Sequence, residues 1–267
     1  MEPAQPAQPA LLAETADGVA TVTLSNPAKR NAMTPQMWRR LPEILKELAA
    51  DPAVRVLVLT GAEGTFCAGA DISALRETAD GAQGTGGTEG TSSTQSLATE
   101  AEEALAAFPK PTLAMVRGHC VGGGCQLAAA CDLRFAAEGA LFGITPAKLG
   151  IVYPASSTER LVRLVGPATA KHLLFSGELV GAERALRTGL ADEVLPDGEL
   201  GARVAEFART LTTRSLLTQA AAKEFADGAA DADRVAHWAR EAAASGEAAE
   251  GVAAFLERRT PAFRWTV

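Results

Sequence analysis

The sequence predicts an α/β core followed by a helical C-terminal part. Segments that read as strands and as helices alternate up to about residue 200, which is typical of a parallel sheet with crossover helices. Residues 54–60 form an almost continuous apolar run, as expected of a strand buried on both faces. Beyond residue 200 the chain is rich in alanine and helical in pattern. We therefore expect a disordered N-terminus over residues 1–10, an α/β core over residues 11–199 and a helical domain over residues 200–267.

Alternation and capping residues define the elements of the core. Val19–Leu24 alternates between apolar and other residues, which predicts a strand. Thr34 and Pro35 are typical of an N-cap and of the first helical position, so a helix should begin there. In chain order, the predicted elements are the strand Val19–Leu24, the turn Asn26–Asn31, the helix Pro35–Ala50, the strand 54–60, the turn Gly61–Gly69, the helix Leu97–Phe108, the strand Pro111–Val116, the turn Arg117–Gly124, the helix Cys125–Ala130 and the strand Leu133–Ala136.

Two further segments complete the expected organisation. Asp80–Ser93 is of low complexity and lacks any large apolar residue, so we expect a loop there. From Ala155 the pattern is helical, with a short strand between Leu190 and Leu195.

Composition excludes several classes of function. The 267 residues carry a net charge of −7, which argues against a nucleic-acid or anionic-membrane partner. No apolar run approaches the roughly 20 residues of a membrane-spanning helix. The four cysteines, Cys67, Cys120, Cys125 and Cys131, lie among apolar and small residues, which indicates reduced core thiols and a cytoplasmic location. They form no CxxC pair, and the three histidines offer no zinc-ligand spacing, so we expect no metal.

Two glycine-rich turns carry the strongest chemical signal. Phe66–Asp71 (FCAGAD) and Gly118–Gln126 (GHCVGGGCQ) each follow a predicted strand and precede a helix. Glycine permits close backbone approach and leaves N–H donors at a helix start, where a developing negative charge is stabilised. If the turns converge, two N–H groups would form an oxyanion hole. Tight helix–sheet packing and a phosphate-binding loop are the alternatives, although neither the GK[ST] sequence nor the GxGxxG spacing is present.

Ordered motifs over nearly the whole chain resemble one known family. The segments are NPAKRNA (26–32), FCAGADI (66–72), GGGCQLA (122–128) followed by Cys131-Asp132, and EGVAAFLERR (250–259). In this order they resemble the crotonase superfamily, the enoyl-CoA hydratase/isomerase family. The segment Leu149–Pro154 also resembles its methylmalonyl-CoA decarboxylase branch, which places a tyrosine in the pocket.

The resemblance implies a spiral core of ββα units, a C-terminal trimerisation domain and an acyl-CoA substrate. The backbone N–H groups of Ala70 and Gly123 would form the oxyanion hole. No separate cofactor is implied, because coenzyme A is part of the substrate. The expected assembly is a homotrimer or a dimer of trimers, and the expected setting is fatty acid metabolism, with polyketide metabolism and amino-acid catabolism as alternatives. The positions implied to contact the substrate or its CoA moiety are Asn26, Ala28, Lys29, Arg30, Ala32, Ala68, Asp71, Ile72, Phe255, Arg258 and Arg259. For Lys29 and Arg30, a solvated turn is the alternative, and for Arg258 and Arg259 a complement to the helix dipole.

The chain departs from the hydratases of this family at both catalytic glutamates. Gln126 stands at the first position and Pro146 at the second, and neither side chain transfers a proton. A shifted alignment would instead offer Glu138 or Glu159, but it would break other matches. Tyr153, the only tyrosine, is either a pocket residue or a core aromatic.

Three functional hypotheses remain open at this point. We favour a lyase that decarboxylates a malonyl-type CoA thioester, with Ala70, Gly123, Tyr153 and Gln126 as catalytic residues. An enoyl-CoA hydratase or isomerase with displaced acid/base groups is the second hypothesis. An acyl-CoA-binding protein without turnover is the third.

Overall fold

The computed structural model describes residues 8–71, 86–228 and 230–267, and of residues 86–93 only the backbone. Nine strands and nine α-helices lie within these ranges. The strands are β1 Ala10–Ala16, β2 Val19–Ser25, β3 Val56–Gly61, β4 Thr112–Val116, β5 His119–Val121, β6 Leu133–Ala137, β7 Leu141–Gly143, β8 Leu179–Gly181 and β9 Glu193–Leu195. The helices are α1 Pro35–Ala50, α2 Gly86–Ala106, α3 Gly123–Ala130, α4 Ala155–Ser176, α5 Ala182–Thr188, α6 Asp197–Thr212, α7 Leu216–Ala226, α8 Ala232–Ser245 and α9 Glu247–Glu257.

A six-stranded sheet in the order β1-β2-β3-β4-β6-β9 forms the core. Only β1 is antiparallel within it, so the α/β class predicted from the alternating pattern is confirmed. Strand β3 is buried on both faces, as its apolar run predicts. Leu57 and Leu59 belong to the core that includes α1, whereas Val56 and Val58 pack with Leu200 and its neighbours on α6.

A second, three-stranded sheet in the order β5-β7-β8 lies beside the first. Strand β5 follows β4 after a turn at Gly118, whose φ of +51° favours glycine. The three strands of the second sheet have three residues each, too few to show a periodicity, and the sequence did not predict this sheet. The short strand predicted between Leu190 and Leu195 is present as β9.

Helix α2 corrects one prediction. We expected a loop over Asp80–Ser93 and a helix from Leu97, but the helix begins at Gly86. The backbone of residues 86–93 is therefore helical despite three glycines and two serines that disfavour a helix. Packing of α2 against α1 and α3 stabilises it, because tertiary contacts outweigh intrinsic propensity. The remainder of the expected loop, residues 80–85, and the predicted site residue Ile72 lie outside the described residues, as does most of the expected disordered N-terminus.

The helical C-terminal part begins with a helix that packs on the sheet. The boundary expected at residue 200 falls within α6, and this helix covers one face of the sheet through Leu200, Val204 and Ala208. Helices α7, α8 and α9 follow, and Trp238 on α8 packs with Leu217 of α7 and with Trp265. Among the described helices, none has the length and apolar character needed to cross a membrane.

Candidate active site

The two glycine-rich turns meet side by side. The Cys67 amide donates to the His119 carbonyl oxygen over 2.8 Å, and the Val121 amide donates to the Cys67 carbonyl oxygen over 2.9 Å. On the other side of the first turn, the Met33 amide donates to Gly69 over 2.8 Å. The first turn is therefore held between two neighbouring backbone segments.

Glycines permit this close approach. Gly69 has a φ of +108°, in the region that favours glycine, and a Cβ atom there would lie 3.5 Å from the Gly123 nitrogen. A Cβ atom at Gly124 would lie 2.3 Å from the Cys67 carbonyl oxygen, a distance that no side chain tolerates. Of the two alternatives considered for the glycines, tight packing thus applies to Gly124.

Ala70 and Gly123, whose backbone N–H groups were predicted to act together, line the same cavity. A Cβ atom at Gly123 would lie 3.7 Å from the Ala70 nitrogen, so the two amides are close neighbours. Neither amide donates a hydrogen bond to any described residue. Gly123 is the first residue of α3, where the helix dipole adds partial positive charge. This is the arrangement that an oxyanion hole requires: two preorganised donors at one point.

A cavity of about 290 Å³ opens in front of these amides. Its volume suits a short acyl group and its thioester, whereas the rest of a CoA molecule would extend outside it. Of the predicted site residues, it brings together Ala68, Ala70, Asp71, Gly123, Gln126 and Tyr153. The other lining residues are Trp38, Gly69, Thr94, Gln95, Ala98, Gly122, Thr145, Pro146, Leu149, Ile151 and Pro154.

Gln126 is bonded to a buried carboxylate that the sequence reasoning missed. Its Nε2 atom donates to Glu102 over 2.5 Å and to the Ser157 hydroxyl over 3.0 Å. Glu102 is 1% exposed and also forms an ion pair with Arg160. Burial raises the pKa of Glu102, while its bonds to Ser157, Arg160 and Gln126 act in the opposite direction.

A sequence signal for Glu102 existed. It shares the buried face of α2 with Ala98, Ala101 and Leu105, at the spacing of one helical stripe. A lone acid on an apolar stripe must find a partner when it is buried.

The remaining residues considered for proton transfer differ in whether they line the cavity. Pro146 lines the cavity, as expected if it replaces the second glutamate, but Glu138 and Glu159 are exposed and do not line it. Tyr153 lines the cavity and is partly buried. Burial raises its pKa well above the ordinary value of 10, so the phenol keeps its proton at neutral pH.

The turn at residues 26–31 is built by its asparagines. Asn26 is 3% exposed, and its side-chain amide donates to the Ala32 carbonyl oxygen over 2.8 Å. This residue, predicted to contact the ligand, therefore forms a hydrogen bond within the turn itself. Lys29 forms an ion pair of 2.8 Å with Asp71, which borders the cavity. Arg30 is exposed beside it, with a φ of +50°. The turn thus presents two cations next to the cavity mouth.

Comparison with known proteins identifies the family. The model of the enoyl-CoA hydratase/isomerase family matches residues 14–265. The chain belongs to the enoyl-CoA hydratase/isomerase family. The predicted resemblance to the crotonase superfamily is therefore confirmed, while the likeness to its decarboxylase branch stays a prediction.

The sequences of individual relatives align with this family member over nearly their full length. The 2,3-dehydroadipyl-CoA hydratase of Escherichia coli is 33% identical over 252 residues, which cover 92% of this chain and 95% of that protein. The crotonyl-CoA hydratase of Syntrophomonas wolfei is 32% identical over 260 residues, covering 95% and 97%. The crystal structure of an enoyl-CoA hydratase/isomerase family member superposes with a TM-score of 0.86 at 39% identity, over 99% of this chain and 100% of the other.

The predicted C-terminal contacts of this family member lie away from the cavity of their own chain. Phe255, Arg258 and Arg259 are exposed on or just after α9, and none of them lines the cavity. Arg259 forms ion pairs of 2.6 Å with Glu250 and Glu257. Of the other predicted contacts, Ala28 is exposed and Ala32 is buried in the turn.

Proposed function

We propose that this acyl-CoA enzyme decarboxylates a malonyl-type CoA thioester. One observation carries the proposal: the Ala70 and Gly123 amides face a cavity whose described lining holds no carboxylate except Asp71, and Asp71 is paired with Lys29. Enolate formation by loss of CO₂ needs an oxyanion hole but no enzyme base. Water addition needs a group that accepts a proton and a group that delivers one.

The reaction would proceed in two steps. The C–C bond to the carboxylate breaks, and its electron pair forms a thioester enolate whose oxygen accepts hydrogen bonds from Ala70 and Gly123. The α-carbon then takes one proton from water or from Tyr153, which yields the shortened acyl-CoA and CO₂. The apolar walls near Leu149 and Ile151 favour the first step, because they solvate the departing carboxylate poorly while its charge disperses.

Tyr153 and Gln126 differ in what they offer this substrate. The protonated Tyr153 hydroxyl can donate a hydrogen bond to the carboxylate before it departs. We expected Gln126 to do the same, but its amide N–H groups are directed at Glu102 and Ser157. Only its carbonyl oxygen faces the cavity, so carboxylate binding falls to Tyr153.

Hydration is the second candidate, since the two curated relatives described above are named hydratases. Among the described residues, it would require Asp71 or Glu102 to transfer protons. Glu102 is 1% exposed behind Gln126, and Asp71 is held by Lys29. The geometry therefore favours decarboxylation over hydration.

The experiment is a panel of CoA thioesters read by mass spectrometry. Malonyl, methylmalonyl, crotonyl and 3-hydroxybutyryl forms are each tested for loss of CO₂, gain of water and hydrolysis. We expect loss of CO₂ from malonyl or methylmalonyl-CoA. Brisk hydration of crotonyl-CoA with both malonyl-type thioesters intact would overturn the proposal, and binding without any turnover would favour a non-catalytic role.

We also propose that the chain assembles as a trimer through its helical part. Val252, Phe255 and Leu256 on α9 are 61%, 83% and 74% exposed, and together they form an apolar surface that a lone subunit would leave in water. Such an assembly would bring Phe255, Arg258 and Arg259 towards a neighbouring subunit's CoA. Light scattering should give a trimer or hexamer mass, and a monomer at micromolar concentration would refute both points.

A further inference from the structure

Three hydrogen-bond donors from two helices converge on the buried Glu102 carboxylate. Gln126 on α3 donates over 2.5 Å, Ser157 on α4 donates over 2.5 Å, and the Arg160 guanidinium on α4 pairs with the second oxygen. Acceptance from three donors, one of them charged, is the pattern of an ionised carboxylate. Glu102 is thus an anion fixed directly behind the cavity wall.

This network determines which end of the Gln126 amide faces the cavity. The amide nitrogen has two hydrogens, and Glu102 and Ser157 take both of them. Ser157 has one hydroxyl hydrogen, which it donates to Glu102, so its oxygen accepts from Gln126. A flipped amide would place its carbonyl oxygen against the Glu102 carboxylate, where two acceptors would repel each other.

The carbonyl oxygen Oε1 is the atom that remains. It accepts no hydrogen bond from any described residue, and it is not among their fully buried unpaired polar atoms. Because Gln126 lines the cavity, Oε1 faces the space in front of the Ala70 and Gly123 amides. The cavity therefore presents a fixed hydrogen-bond acceptor at this point.

We infer that Glu102 is a positioning residue that holds Gln126 as an acceptor, so that this point of the cavity binds a hydroxyl group or a water molecule and disfavours a carboxylate. The inference rests on the proposed function for its acyl-CoA ligand and makes it more specific. In decarboxylation, a water that donates one hydrogen to Oε1 is held in place to give its other hydrogen to the α-carbon. The resulting hydroxide takes up a proton from solvent.

A glutamate at position 126 would behave differently from the glutamate of a hydratase. Its carboxyl group would replace the amide that now lies 2.5 Å from Glu102, and two carboxylates at that distance share a proton. An exchange of the two residues, Glu102→Gln with Gln126→Glu, keeps one amide and one carboxylate in the pair. It also places an acceptor in the cavity again.

The test compares the binding of two ligands that differ at one oxygen. Calorimetry measures the affinity for 3-hydroxybutyryl-CoA, whose C3 hydroxyl is a donor, and for acetoacetyl-CoA, whose C3 carbonyl is an acceptor. Wild type should prefer the hydroxyl ligand, and Glu102→Gln should reduce that preference about five- to tenfold, roughly the effect of one hydrogen bond. The double exchange should restore it. Glu103→Gln is the matched control, because it removes the other carboxylate on Arg160, 3.2 Å away, without contact to Gln126.

The outcomes separate this inference from the proposed function. An unchanged preference in Glu102→Gln, or an equal loss in Glu103→Gln, would refute the positioning role. If Glu102→Gln does not fold in a thermal unfolding assay, Ser157→Ala removes the other acceptor of the amide and should also lower the preference. The ligand preference is measured by binding, without turnover. It can therefore be confirmed even if no malonyl-type thioester loses CO₂, and it can be refuted even if one does.

Discussion

The cavity has two sides that are built in different ways. On one side, the Ala70 and Gly123 amides are fixed by backbone hydrogen bonds between neighbouring turns, and no described side chain contributes a charge to them. On the other side, Gln126, Pro146 and Tyr153 present side chains whose chemistry depends on what stands behind them. The first side suits a thioester enolate under the proposed function, whatever reaction forms it. Under the proposed function, the second side determines which reaction forms the enolate, and it carries Gln126 and Pro146 where the resemblance implies glutamates.

The largest effect should come from the side of the cavity that the Ala70 and Gly123 amides form, which we call the backbone side. Gly123→Val should lower turnover of any thioester about 100- to 1000-fold, the cost of losing one oxyanion donor, because its branched side chain obstructs the approach of the carbonyl. Steady-state kinetics on the reactive thioester and calorimetry with free CoA provide the readout. CoA should still bind, since the turn predicted to contact it, residues 26–31, is separate from Gly123.

A packing control is needed for this variant. A Cβ atom at Gly123 would lie 2.9 Å from the Trp38 ring, so part of the loss could come from a clash. Trp38→Phe shortens that ring, and it should rescue Gly123→Ala but not Gly123→Val. Folded Gly123→Val protein with near-wild-type turnover would show that the oxyanion hole is wrongly placed.

We call the opposite side of the cavity, formed by Gln126, Pro146 and Tyr153, the side-chain side. There, Tyr153→Phe should lower kcat about tenfold or more and leave KM little changed. A positioned proton donor contributes at least that factor to a transition state. The measurement is the rate of CO₂ release from the malonyl-type thioester. An unchanged rate would mean that Tyr153 is a core aromatic residue and that the carboxylate binds elsewhere.

Outside both sides, Lys29→Met should weaken CoA binding about three- to tenfold without changing the acyl preference, because a half-exposed cation contributes less than a buried one. Calorimetry with free CoA measures it, and Lys46→Met on the exposed face of α1 is the control. Equal losses in both variants would indicate a general effect of net charge rather than a site at the turn.

The two sides also differ in how well the sequence predicts them. Local patterns encode the close approach on the backbone side: FCAGAD and GGG predict two glycine-rich turns, and the family resemblance then assigns the amides of Ala70 and Gly123. The side-chain side depends on Glu102, which lies 24 residues from Gln126 and is brought to it by the packing of α2 on α3. The sequence alone located Gln126 and Pro146 correctly in the cavity, but the direction of the Gln126 amide depends on a contact that no local pattern contains.

The smallest predicted effect concerns the pH dependence of stability. Burial raises the pKa of Glu102 above its ordinary 4.5, although Ser157, Arg160 and Gln126 oppose the shift. A folded state with a raised carboxyl pKa binds more protons than the unfolded chain, so its stability is greatest below pH 4.5 and falls as the pH rises through the raised pKa.

The Glu102→Gln variant lacks this group, so wild type should lose stability relative to it as the pH rises above about 4.5. Thermal unfolding midpoints of both proteins across that range measure the difference. Subtraction removes the contributions that both proteins share, and Glu103→Gln controls for the change in net charge. The opposite slope would show that the Arg160 ion pair outweighs burial. The side-chain side would then stabilise the fold most when Glu102 is ionised, and the carboxylate that orients Gln126 would carry no cost at neutral pH.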